Sequence, residues 1–175
     1  GWCFVLGRAH RLTGEARYRE GFFALLDSWL ASNPPNLGPH WASGQEVALR
    51  LIGLIFGFFV FAPLTPEREE QMLVAIAAHA ERIPPTLRYA RAQRNNHLLS
   101  EAVGLYSAGV LFAEFDKADR WKALGRRWLV YALQDQVFAD GGYIQHSTNY
   151  QRLALAAGLW AARLAELHNE PLPPA

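Results

Sequence analysis

Cysteine, methionine and lysine are nearly missing from this 175-residue chain. Cys3 is the single cysteine, so the chain carries no disulfide framework and no cysteine zinc cluster. Lysine occurs only at Lys117 and Lys122 among 17 basic residues, which makes almost all of the positive charge guanidinium. Arginine forks pair well with carboxylates and suit an acidic ligand; the base composition of a source genome gives the same enrichment. A surplus of either sign is missing too. With 17 basic against 16 acidic residues the formal charge is +1, and no broad electrostatic case for nucleic acid follows. No apolar run reaches the ~20 residues of a bilayer span; the strongest, Leu51 to Leu64, reads as a buried core helix. No stretch reads as a convincing strand, and no fixed-period repeat is visible. No His-x-x-x-His or similar spacing points to a metal, and no cofactor is expected. An initiating methionine is also lacking. The chain opens on Gly1-Trp2-Cys3-Phe4-Val5-Leu6, in the middle of a helical pattern, and is read as a piece of something longer.

What is present is apolar periodicity. Half the residues are hydrophobic (51%), which places the chain among folded domains, and its length fits one domain. Helices are predicted over residues 2–12, ended by Thr13-Gly14, and over 15–31, stopped by Asn33-Pro34-Pro35. Ser43 with Glu46 forms a capping box for a helix reaching about Phe61. Its apolar residues (Val47, Leu51, Ile52, Leu54, Ile55, Phe58 among them) run nearly all round, so it is expected to be buried on every side. Thr65-Pro66-Glu67 opens a charged, outer helix. A short helix at 86–92, an apolar one at 98–112, one from Asp116 or Lys117 to about Phe138, and a last one from the 140–150 loop to about His168 follow. A tail spans Glu170 to Pro174. Charged outer helices alternate with apolar inner ones. The predicted fold is therefore all-α, an incomplete α/α toroid of antiparallel helical hairpins, with residues 1–175 as a single helical domain.

Three polar clusters precede or open apolar helices: Trp41/Glu46, Asn95-Asn96-His97, and the loop Asp140-Gly141-Gly142-Tyr143-Ile144-Gln145-His146-Ser147-Thr148-Asn149-Tyr150. If those helices form the inner layer, their N-termini crowd one end and make a pocket for an anion. Ser147 is a natural N-cap, which puts Tyr150 in the first turn, near the positive end of the helix dipole. Each residue also has a plainer reading. Asn95 or Asn96 caps a helix; His97 is a satisfied structural histidine; Tyr150 is a core aromatic. Glu46 serves its capping box, and Arg50 is its i+4 partner. Trp41 packs if its loop is buried, and Asp140-Gly141-Gly142 is a turn. His10, His79 and His168 are scattered on helices and are assigned nothing.

The segments Trp41-Ala42-Ser43-Gly44-Gln45-Glu46-Val47-Ala48-Leu49-Arg50, Asn95-Asn96-His97-Leu98 and Asp140-Gly141-Gly142 through Ser147-Thr148-Asn149-Tyr150, in that order, resemble the heparinase II/III-like polysaccharide lyases, alginate lyases included. The resemblance implies an α/α toroid followed by β-sandwich domains and cleavage of uronic-acid glycosidic bonds by β-elimination in a bacterial, periplasmic or secreted enzyme. It implies Asn96, His97 and Tyr150 as catalytic residues. Trp41, Glu46, Arg50, Asn95, Gln145 and His146 would contact an acidic polysaccharide, with Trp41 as a sugar-stacking platform and Arg50 pairing with a neighbouring uronate. The β domain, which in the family adds a His or Tyr to the cleft, is absent after Ala175, so the cleft is expected to be incomplete. Gln145 stands where many members have an acid, Gln151 where a His often follows the tyrosine, and His40 where Asn is common. These departures leave the substrate class open. Two rivals remain. A glycoside hydrolase needs two carboxylates roughly 5 to 9.5 Å apart, for which Asp140 and Glu46 are the candidates. A non-catalytic scaffold would show an exposed apolar groove. The open toroid edge predicts self-association.

Overall fold

A computed structural model describes residues 1–173; of the expected tail, Pro174 lies outside the described residues. Among these residues are eight α-helices and no strand: α1 (Trp2–Thr13), α2 (Ala16–Ser32), α3 (Gly44–Val60), α4 (Pro66–Arg82), α5 (Leu87–Gln93), α6 (Asn96–Leu111), α7 (Ala118–Gln136) and α8 (Thr148–Leu167). A 3-10 turn covers Pro39–Trp41, and a single antiparallel bridge joins Val137 to Tyr143. Local chemistry sets the helix ends. Gly14 takes the left-handed φ of 70° and donates to His10 O, as a C-terminal glycine does. The side chains of Ser43, Thr65, Asn95 and Ser147 accept the N–H of Glu46, Arg68, His97 and Tyr150. Each satisfies an otherwise orphan donor and contributes about 1 kcal/mol. At Ser43 only the serine half of the expected capping box forms, and the Glu46 carboxylate lies 3.9 Å from Arg50 instead.

Close approaches between helices give their direction. A Cβ on Gly53 would meet Cys3, and one on Gly7 would meet Phe56 and Val60, so α1 and α3 ascend together. Gly44 lies against Glu101 and Gly104 against Ala48, so α3 and α6 ascend together. Asn96 bonds Gln145 just before α8 and Ser107 bonds Trp160 within it, so α6 and α8 run the same way. The packing of Gly109 on Ala118 and Lys122, and of Gly125 on Tyr106 and Ala102, makes α7 antiparallel to α6. Helices α1, α3, α6 and α8 thus form a parallel inner arc. Helices α2, α4 and α7 return on the outside, each packed on the helix before it or on its inner neighbour. This is the incomplete α/α toroid expected.

The core follows this layering, with one change from expectation. It is α6, not α3, that is enclosed: every residue from Leu98 to Val110 is buried. Helix α3 packs on α1, α4 and α6, but these neighbours do not close round it, and Leu49 and Phe59 stay exposed at 40% and 50%. Phe22 is fully buried at the α1–α2–α3 junction, with ring centroids 4.6 Å from Phe61 and 5.4 Å from Trp2. Burying such a ring contributes about 1.5–3 kcal/mol. The C-terminal tail is tied to α7 by Lys122–Glu170 at 3.0 Å and by Arg126 donating to Glu170 O and Pro171 O.

Candidate active site

Parallel inner helices bring the starts of α3, α6 and α8 to one end of the arc. Each start leaves N–H groups and a positive dipole end, a combination that favours an anion. Two of the entries share a device. Arg94 (φ 45°) precedes the cap Asn95, and His146 (φ 47°) precedes the cap Ser147. A left-handed conformation costs a residue with a Cβ roughly 1–2 kcal/mol; it survives where surrounding contacts over-determine it.

Those contacts are visible in the loop before α8. Gly141, with φ 84°, permits the turn, and Asp140 Oδ1 accepts the Gly142 N–H at 2.8 Å. Phe138 N–H donates to Gly142 O and Ile144 N–H to Gln136 O. The Tyr143 hydroxyl donates to Gln136 Oε1 at 2.7 Å. The ring of Tyr143 is 4% exposed, and burial pushes its phenol up to about 12, so this tyrosine anchors the loop in its protonated form. Gln145 then crosses to the neighbouring helix, and its Oε1 accepts the Asn96 N–H at 2.8 Å. A residue 49 positions away thereby takes the first donor of α6.

The structure brings Glu46, Asn95, Asn96, His97 and Gln145 together. Asn95 caps α6 and is spent locally. Asn96 is 3% exposed. His97 is half-buried, and burial lowers its pKa against the opposing pull of the Glu46 charge; at neutral pH it is an uncharged imidazole. Tyr150 is the third residue of α8 and 43% exposed. Tyr150 lies five positions past Gln145, and its helix start lies beside that of α6. His146 is exposed on the same loop. The set contains an amide, a neutral imidazole, an accessible phenol and a carboxylate at the positive ends of helices. Among the described residues no group of three His, Cys, Asp or Glu is disposed to hold a metal.

Two expected substrate contacts fall elsewhere. Trp41 is only 2% exposed and offers no face to a sugar. It packs at 4.5 Å from the His79 ring and 6.1 Å from Trp29, with its Nε1–H donating to Asn33 O. The plain packing reading is the correct one for Trp41, because the loop that carries it is folded under the outer helices. Arg50 is turned the same way. Its Nη2 donates to His40 O, its Nε approaches His79 Nε2 at 3.4 Å, and its guanidinium lies 5.0 Å from the Trp29 ring. With Arg82 Nε on Trp41 O at 3.0 Å, Arg50 staples the 38–42 turn, so its geometry favours that role over a uronate contact.

His79 and Glu101 carry no signal in the sequence pattern, yet both are central. His79 Nδ1 donates to Ala75 O at 2.7 Å, which leaves Nε2 free to accept from Arg50. Burial lowers its pKa to about 4. Glu101 is 1% exposed, one turn below His97 on α6. Thr86 Oγ1 donates to its Oε2 at 2.8 Å, and burial raises its pKa to about 7. A Cβ on Gly44 would collide with Glu101 and Thr86, so the carboxyl joins the starts of α3, α5 and α6 beneath the site. A cavity of about 350 Å³ between α1, α2 and α3 is lined by apolar residues with Arg50 and His79; it lies behind α3.

Comparison with known proteins agrees with this architecture. The chain is 29% identical over 174 residues to a heparin-sulfate lyase of Bacteroides thetaiotaomicron, covering 96% of this chain and 24% of that one. It is 28% identical over 191 residues to a heparin-sulfate lyase of Bacteroides stercoris, covering 96% and 28%. The crystal structure of a heparinase III superposes with a TM-score of 0.82 at 28% identity, over 98% of this chain and 27% of the other. The chain thus spans about a quarter of the length of these relatives. The model of the heparinase II/III N-terminus matches residues 1–171, and the chain belongs to that family.

Proposed function

We propose that this chain is the helical catalytic portion of a polysaccharide lyase that cleaves a uronate-containing glycan by β-elimination. Heparan sulfate is the first substrate to test, since the relatives bear the name of heparin-sulfate lyases; alginate is the second. What supports the reading is that Asn96, His97 and Tyr150 stand in the first turns of two parallel, packed helices, with Glu46 in the first turn of a third. The C5 proton of a uronate is weakly acidic because it lies next to an anionic carboxylate. Its removal requires that charge to be neutralised first. The Asn96 amide, at the positive end of α6, is the donor for that carboxylate, and the neutral His97 supports it. Tyr150, exposed and mounted on α8, protonates the leaving oxygen as the C4–O bond breaks and the C4–C5 double bond forms. As phenolate it is also the group that takes the C5 proton. Acid and base steps of this kind contribute about 10²–10⁴-fold each. A polymeric substrate of this type also implies a periplasmic or secreted protein.

The test follows the product. Incubation of the full-length protein with heparan sulfate, alginate or hyaluronan should raise ultraviolet absorbance from the unsaturated uronate, which hydrolysis and mere binding do not create. Tyr150→Phe should lower that rate by at least about 10²-fold with helical content unchanged. Retention of full activity by this variant would remove Tyr150 from the chemistry.

A further inference from the structure

Helix α5 ends at the residue that leads into the cap of α6, so whatever α5 displays adjoins the candidate site. Its sequence, Leu87–Gln93, contains two arginines, Arg88 and Arg91, and no acid. Beside it the C-terminal half of α7 presents Arg127, Trp128 and Tyr131. The Arg91 guanidinium lies 5.7 Å from the Trp128 ring and 5.4 Å from Tyr131, and Arg127 lies 5.3 Å from Trp128. At the site end Arg94 binds Asp135 through two hydrogen bonds of 3.0 and 3.2 Å. Arg126 faces away, to the C-terminal tail.

This strip is unlike the rest of the surface. The whole chain is nearly neutral, whereas here four arginines face one carboxylate, Asp135. That carboxylate is taken by Arg94. Among the described residues Arg88, Arg91 and Arg127 have no carboxylate partner. A guanidinium within about 6 Å of an aromatic ring centroid is held there by cation–π attraction and keeps N–H donors for a ligand. Planar, edge-on donors of this kind match carboxylate and sulfate oxygens. From Arg127 to Asp135 the strip runs about 12 Å along α7 and ends at the α6 entry.

We infer that Arg91 and Arg127, seated on Trp128 and Tyr131, form a secondary binding strip for the acidic glycan chain where it leaves the cleft. The inference rests on the proposed substrate class. Its occupant is argued from two observations: the local charge is opposite to that of such a glycan, and the strip is continuous with the α6 entry. A glycan long enough to leave the cleft on this side gains the strip; a short oligosaccharide confined to the cleft does not.

The experiment compares chain lengths. The full-length protein and its Arg91→Ala/Arg127→Ala variant are measured on long heparan sulfate chains and on a tetrasaccharide, with binding to immobilised heparan sulfate read separately from turnover. The variant should bind the long chain about tenfold more weakly at low salt, with a shallower salt dependence, and should show a raised KM with unchanged kcat. On the tetrasaccharide it should match the parent within about twofold, and its Tm should be unchanged. Arg91→Lys, which keeps charge and loses the planar fork, should fall between. Unchanged long-chain binding would overturn the inference, as would an equal loss on the short substrate. A parent that prefers duplex DNA to heparan sulfate would overturn it too, by assigning the strip to nucleic acid. If the parent cleaves no uronate polymer, the proposed activity fails on its own, and the binding arm still decides the strip.

Discussion

Replacing Glu101 by glutamine removes one proton site from the floor of the candidate cleft while keeping the side chain's size and its acceptor for Thr86. Burial moves this carboxyl from an ordinary 4.5 to about 7. At 1.36 kcal/mol per pH unit that favours the neutral form by about 3 kcal/mol. The folded protein holds a proton that the unfolded chain releases between pH 4.5 and 7. Stability from this group is therefore full below 4.5 and is lost as pH rises through 7. His79 works in the opposite sense. Its folded value of about 4 lies below its ordinary 6.5, so the unfolded chain takes up a proton first, and about 3 kcal/mol is lost as pH falls from 6.5 to 4. Between pH 4.5 and 6.5 the two slopes nearly cancel. Glu101→Gln should uncover the histidine slope. Urea unfolding of parent and variant at pH 5, 6, 7 and 8 measures the difference, and groups common to both proteins drop out. Relative to the parent, the variant should gain about 3 kcal/mol between pH 4.5 and 7.5. A constant offset across that range would mean that Glu101 titrates as an exposed carboxyl, and the role given to its burial would fall.

Three further outcomes follow from the same geometry. Trp41→Ala should cost about 3–5 kcal/mol of stability, read by urea unfolding, while kcat and KM of the protein that remains folded stay near the parent's; a large KM increase alone would restore the stacking role. Gln145→Ala removes the tie between the 137–147 loop and Asn96. It should cost about 1 kcal/mol but lower turnover up to about 10²-fold, since small misplacements of reacting groups carry that penalty. A stability loss with unchanged kcat would make Gln145 purely structural. The 175-residue chain should self-associate through the ends of its arc, where Val5 and Leu12 on α1 and Leu155 and Leu159 on α8 are each at least 60% exposed; sedimentation as a clean monomer would contradict this.

Much of the molecule is legible in the sequence, and the legible part is local. Ser43, Asn95 and Ser147 announce the starts of the inner helices because a cap bonds an N–H two or three residues away. Gly14, Pro66 and the Asn33-Pro34-Pro35 break act over similarly short distances, and the apolar spacing separates inner from outer helices. Position near a helix start was equally readable for Asn96, His97 and Tyr150. The misreadings came from contacts between remote segments. A tryptophan in a polar loop looks like a platform until Arg82, 41 positions on, and His79 close over it. Arg50 is the i+4 partner of Glu46, 3.9 Å away, as its spacing announces, but nothing in its neighbourhood announces His79, 29 positions away. Helix α3 is the more apolar sequence, yet α6 is the enclosed helix, because enclosure depends on how many neighbours the arc supplies.

The order of residues by itself determined the helices, their ends, their two-layer alternation and the family pattern, since each of these depends on backbone groups and side chains within a turn or two. Only the tertiary structure decided which polar groups are buried and what they face: a neutral His79 under Arg50, a Glu101 beneath His97 whose carboxyl burial lifts to about 7, a tyrosine at 143 that anchors and one at 150 that stays open. Those states depend on desolvation and on partners tens of residues away, and both come into being only when the helices pack.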